Sequence, residues 1–119
     1  QILLCEHTYR KEYPWGLPGG SLKSRENPDS AIEREVFEET GLRIQIIRPL
    51  MALSLQDHPQ ISIIYLCIPN NGRFQPNAEV SRIQYFAPYD LPDRLLPSEH
   101  EIIQKAFLIL DAEGSTREG

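Results

Sequence analysis

Between Gly20 and Leu42 the chain reads GSLKSRENPDSAIEREVFEETGL, in which Glu26, Arg34, Glu35, Glu38 and Glu39 combine four carboxylates with one guanidinium. Glu35 and Glu39 are four residues apart and Glu35 and Glu38 three apart, so on a helix the three carboxylates crowd one side. Like charges at that spacing cost roughly 0.2–0.5 kcal/mol each in an isolated helix. A hard divalent cation offsets this repulsion, because Mg²⁺ prefers oxygen ligands, keeps several waters and is usually held by a few carboxylates together with substrate phosphates. The bland alternative is a solvated acidic face, the commonest fate of a charge-rich helical stretch. Arg34 can pair with Glu38 at i,i+4 or hold Glu26 in a bidentate fork; its own bland alternative is an ordinary surface ion pair.

These side chains need a helix with fixed ends. Asn27 is a good N-cap, Pro28 suits the first helical position, Asp29 adds negative charge to the first turn and Gly41 suits the left-handed position past the end. The spacing predicts a helix from about Pro28 to Thr40. Upstream, Trp15-Gly16-Leu17-Pro18-Gly19-Gly20 is rich in turn residues, and its glycines let the backbone approach a ligand closely.

Gly20, Glu26, Arg34, Glu35, Val36, Glu38, Glu39, Gly41 and Leu42 meet every defined position of a Nudix box, and Trp15 to Gly20 match the W-x-L-P-G-G lead-in. On these motifs the chain resembles the Nudix, or MutT-like, hydrolases. At average residue usage the full pattern arises by chance in a chain this long with a frequency of about 10⁻⁷. That is far stronger than a lone short motif and tips the balance toward a metal platform.

The resemblance implies an α+β Nudix fold, an α/β/α sandwich around a mixed sheet, and a Mg²⁺-dependent hydrolase of diphosphate linkages, with Mn²⁺ as a substitute metal. Glu35 and Glu39 are its expected first ligands, with Glu38 supporting, the Gly19 carbonyl facing the metal and Arg34 orienting the glutamates. The general base is Glu35 or Glu79; Glu79 precedes the strand Ile83-Gln84-Tyr85-Phe86, where many Nudix enzymes place a Glu, and a plain loop Glu is the competing reading. In such a mechanism water attacks phosphorus while bound metals stabilise the phosphate oxygens and acidify the water.

The substrate class implied is a nucleoside diphosphate linked to another group: a nucleoside triphosphate, a nucleotide sugar, ADP-ribose, a dinucleotide cofactor or a dinucleoside polyphosphate. Leu-Pro-Gly-Gly in place of the Pro-Ala-Gly common in ADP-ribose pyrophosphatases disfavours ADP-ribose, whereas Pro59, near a downstream proline associated with its use, favours it. A nucleotide-binding sensor module of the same fold is the alternative, although such modules usually lose box glutamates that are all present here. An isomerase on a related scaffold would need extra metal-binding histidines near the box.

At 119 residues the chain supports one domain, burying roughly two thirds of its unfolded surface. We expect that domain over residues 1–110, with a polar tail over 111–119. Twelve Lys and Arg against seventeen Asp and Glu, a net charge of −5, leave no basic footprint for a nucleic-acid polymer. A small nucleotide is the expected partner, and a homodimer is compatible with the reading. No apolar run approaches a membrane span. Cys5 and Cys67 are too few for a disulfide scaffold and lack metal-ligand spacing, which fits a reduced, cytoplasmic setting. The chain opens at Gln1 and enters the strand-like Ile2-Leu3-Leu4-Cys5 at once, whereas Nudix domains normally carry an earlier strand, so an N-terminal segment is expected to be missing.

Alternation predicts further strands at Leu42–Ile46, Leu50–Leu55, Ile61–Ile68 and Arg82–Phe86, a turn at Pro69-Asn70-Asn71-Gly72 and a loop over Gln75–Ala78. Ser98 and Glu101 form a capping-box pattern opening a last helix with an apolar stripe of Ile102, Ile103, Ala106, Phe107 and Leu110. His58 reads as a loop residue and His100 as an exposed first-turn residue, while His7 could reach a substrate phosphate. Tyr13, Trp15 and Tyr85 could stack on a nucleobase, though packing is the commoner fate of aromatics.

Overall fold

A computed structural model describes residues 1–20, 22–54 and 61–118, with side chains described as far as 114. His58 and Pro59 lie outside the described residues. The elements run β1 (Ile2–His7), β2 (Trp15–Gly16), α1 (Pro28–Thr40), β3 (Leu42–Ser54), β4 (Ile61–Gly72), β5 (Val80–Phe86) and α2 (Pro97–Glu118).

β1 is the centre of a three-stranded sheet, antiparallel to β2 on one side and to β5 on the other, while β3 and β4 form a long antiparallel pair. Among the described residues, parallel pairing is confined to one bridge, Trp15 to Leu95. α1 lies against β3 and β5. α2 brings Ile103 and Phe107 to a core of Leu4, Trp15 and Leu95, flanked by Ile2, Leu17, Phe86 and Leu91. Leu4 and Ile103 are fully buried, each stabilising the fold by roughly 1.5–3 kcal/mol. Trp15 meets Phe86 edge-on at 5.2 Å, so it is a packing residue.

α1 has the ends its sequence dictates. The Asn27 side chain accepts the Ser30 N–H at 2.9 Å, Pro28 opens the helix, and Gly41 closes it at φ 78° with its N–H on the Phe37 carbonyl. A side chain at Gly41 would also meet the Arg73 carbonyl at 2.6 Å. Tyr65 of β4 donates its hydroxyl to Asp29 at 2.7 Å, tying the hairpin to the first turn of α1.

Five local expectations are corrected. The strands expected at Leu42–Ile46 and Leu50–Leu55 are one, Leu42–Ser54, with Leu55 outside the described residues, and Pro69 to Gly72 extend β4 instead of turning. Proline interrupts a ladder by lacking an N–H, and here the register shifts beside Pro49 and between Arg43 and Ile44, opposite Pro69, absorb the irregularity. The last helix begins at Pro97, and the Glu99 and His100 N–H groups go to the Leu96 carbonyl, so Ser98 does not cap it. Proline's fixed φ makes it the better first helical residue. The helix also continues beyond Leu110 to Glu118, since Asp111 to Glu113 offer no breaker. His100 is half-buried rather than exposed.

Candidate active site

Arg34, at the middle of α1, gathers three carboxylates. Its Nε and Nη2 hold the two oxygens of Glu26 at 2.7 and 2.9 Å, and its Nη1 reaches Glu35 at 2.8 Å and Glu38 at 3.2 Å. Both pairings expected of Arg34 therefore occur together. The loop ahead of the helix is fixed in the same way, because Glu26 also accepts the Lys23 N–H at 2.9 Å. The Arg34 hydrogen bonds, followed by that from Lys23, hold the Glu26 carboxyl down at about 2. The repulsion implied by the sequence is relieved for Glu35 and Glu38 by one planar cation.

Glu39 lies on the buried side of the helix, 5% exposed, and accepts the Gly19 N–H at 2.7 Å. Burial, and to a lesser degree the charges of Glu35 and Glu79, push its carboxyl up to about 7. Glu35 lies against the next residue of the lead-in: a Cβ on Gly20 would come within 2.5 Å of its carboxylate. Two helix glutamates thus flank the Gly19-Gly20 backbone. A side chain at position 20 would displace the Glu35 carboxylate.

Among the described residues no three His, Cys, Asp or Glu side chains converge as a ready-made ion site. Glu35 and Glu38 are turned to Arg34, and Glu39 to Gly19. The donor chemistry nevertheless fits a hard cation. Glu39 is a buried acid whose neighbouring carboxylates raise its affinity for protons further, an effect that the Arg10 charge offsets only in part.

Glu79 is exposed in the loop before β5 and close enough to Glu39 to act on it electrostatically. Asn77, which the sequence did not single out, sets that loop. Its Nδ2 donates to the Glu39 carbonyl at 2.9 Å, and its Oδ1 accepts the Glu79 and Val80 N–H groups at 2.9 and 3.0 Å.

Beside Gly19 and Gly20 opens a groove of about 760 Å³, walled by Leu22, Ile32, Ile61 and Ile63 and closed at its polar end by His7, Arg10 and Glu99. Glu99, in the first turn of α2, accepts the Leu17 N–H at 2.8 Å, and burial raises its carboxyl above the usual range. The lead-in is therefore pinned by one glutamate from each helix. Glu99, Arg10 and Asn77 escaped the sequence reading; an acid in a helix's first turn signals only favourable dipole placement. Trp15 and Tyr85 do not line the groove, and Tyr13 lines a separate small cavity with Leu91 and His100. No helix among the described residues is long and apolar enough to cross a membrane.

A family model for the NUDIX domain matches residues 1–107. The chain is 27% identical over 81 residues to a MutT-like protein of Streptomyces ambofaciens, covering 68% of this chain and 53% of the relative. It is 37% identical over 100 residues to an RNA pyrophosphohydrolase of Bartonella henselae, covering 76% and 57%. The chain thus spans little more than half the length of these relatives. The crystal structure of an ADP-ribose pyrophosphatase from Streptococcus suis superposes with a TM-score of 0.74 at 28% identity, over 93% of this chain and 81% of the other.

Proposed function

Since the chain belongs to the NUDIX family, we propose that it hydrolyses the diphosphate linkage of a nucleoside diphosphate bound to a further group, with a divalent cation held on α1. The observation that carries this reading is the pairing of Glu35 and Glu39 with consecutive lead-in residues, Glu35 against Gly20 and Glu39 on the Gly19 N–H. Glu35, Glu39 and Glu38, with the Gly19 carbonyl, are the residues that would hold Mg²⁺ or Mn²⁺. When bound, such an ion neutralises phosphate charge and lowers the pKa of its water.

The chain's own residues divide the remaining work. Arg34 fixes the directions of Glu35 and Glu38. Glu79, exposed and outside the Arg34 cluster, is our choice over Glu35 as the group that takes the proton of the attacking water. Asn77 holds the Glu79 backbone to the end of α1. The apolar groove receives the organic part of the substrate and excludes water from one side.

The test is product release from a panel containing ADP-ribose, a nucleotide sugar, nucleoside triphosphates and a 5′-phosphorylated RNA, with Mg²⁺ or Mn²⁺ and with chelator. RNA and ADP-ribose belong in the panel because relatives are named RNA pyrophosphohydrolase and ADP-ribose pyrophosphatase. Metal-dependent release of a nucleoside phosphate is expected. Tight nucleotide binding without release under every condition would favour the sensor module.

A further inference from the structure

We infer that Arg10 and His7 form an anion subsite at the polar end of the groove, taking a phosphate oxygen of the ligand other than those that would meet a cation on the α1 carboxylates. This inference rests on the groove being the substrate site. Arg10 is the one Lys or Arg among the described residues lining it. Among the described residues its Nη1 is buried without a hydrogen-bond partner, and its Nη2 is 3.8 Å from Glu99, too long for a hydrogen bond. Glu99 therefore steadies the guanidinium without saturating it. The Tyr9 ring, 5.5 Å from the guanidinium carbon, supports it from another side.

His7 is 2% exposed, and among the described residues neither of its ring nitrogens has a well-formed hydrogen bond; the Leu17 backbone is a loose polar neighbour. Buried donors without acceptors are rare because the lost hydration is not replaced. Here two neighbouring side chains leave polar nitrogens unpaired in one groove, in a chain of net charge −5. A ligand acceptor resolves both. The planar guanidinium fork matches a phosphate, and the apolar walls at Leu22, Ile32, Ile61 and Ile63 suit the organic group attached to it.

Calorimetric titration in Mg²⁺ buffer with α,β-methylene-ADP, whose P–C–P bridge resists hydrolysis, and with inorganic pyrophosphate as the bare anion tests the subsite. Arg10→Gln should weaken both ligands by roughly tenfold or more, the loss expected for a charge-assisted hydrogen bond. His7→Gln should weaken both to a lesser degree. Unchanged affinities, or loss of α,β-methylene-ADP alone with pyrophosphate unaffected, would overturn the subsite by showing that the groove's shape had changed instead. If Arg10→Gln does not fold, Arg10→Lys, which keeps charge but not the fork, is read in the same way. Loss of binding in Arg10→Gln with no hydrolysis by the wild type would sink the hydrolase and keep the subsite; hydrolysis with unchanged Arg10→Gln affinities would do the reverse.

Discussion

The Glu39 carboxylate lies 3.8 Å from Nδ1 of His7, and both side chains are buried. Burial, assisted by the nearby Arg10 charge, lowers the His7 imidazole to about 4, while burial raises Glu39 to about 7. At neutral pH His7 is uncharged, so this approach is not an ion pair.

The two groups act oppositely on stability. For Glu39, raised from 4.5, the contribution is present below pH 4.5 and lost as pH rises through about 7. For His7, lowered from 6.5, it is present above pH 6.5 and lost as pH falls through about 4. Between these limits the two contributions oppose each other, so in chelator the pair adds little net slope to the wild type's stability. Glu39→Gln should lose about 1–3 kcal/mol on acidification from pH 6.5 to 4, the His7 slope laid bare. Urea unfolding at several pH values measures this; parallel curves for the two proteins would refute it.

Gly20→Ala should separate stability from chemistry. The added Cβ meets only the mobile end of Glu35, so the melting temperature should change little. Displacing that carboxylate by about 1 Å should lower kcat on the order of a hundredfold. Gly41→Ala is the contrast: it forces a side chain into the left-handed region and onto the Arg73 carbonyl, costing about 1–2 kcal/mol or more. Melting curves and steady-state kinetics on both variants distinguish the two effects.

Arg34→Lys keeps the charge but not the fork that serves Glu26, Glu35 and Glu38 together. Activity should fall about ten- to a hundredfold through misdirected carboxylates. Kinetics at saturating Mg²⁺ should show the loss mainly in kcat; full activity would reduce Arg34 to a surface ion pair.

Asn77→Ala removes the acceptor for two N–H groups and the donor to the Glu39 carbonyl. A loss of roughly 1–3 kcal/mol is expected. If Asn77 works by placing Glu79, the double variant with Glu79→Gln should be no slower than Glu79→Gln alone. Additive losses would dissociate the two residues.

How much of this was legible follows from distance along the chain. The ends of α1 are local, set by Asn27, Pro28 and Gly41, and the structure places them where the sequence does. The Arg34 cluster was nearly as readable, because three of its four members sit within one helical turn. Glu99 on Leu17 spans 82 residues and Asn77 on Glu39 spans 38, and no periodicity announces either. The Pro69 to Gly72 misreading has the opposite cause: local turn residues were overridden by pairing to β3.

The central claim, that α1 supplies the catalytic carboxylates, is tested most directly with Glu39→Gln. Glutamine keeps an acceptor for the Gly19 N–H and removes the buried charge, so the fold should survive intact or stabilised in chelator. Metal-dependent product release, measured beside the melting temperature, should then vanish while the melting temperature holds. Release at the wild-type rate from the folded variant would contradict the account.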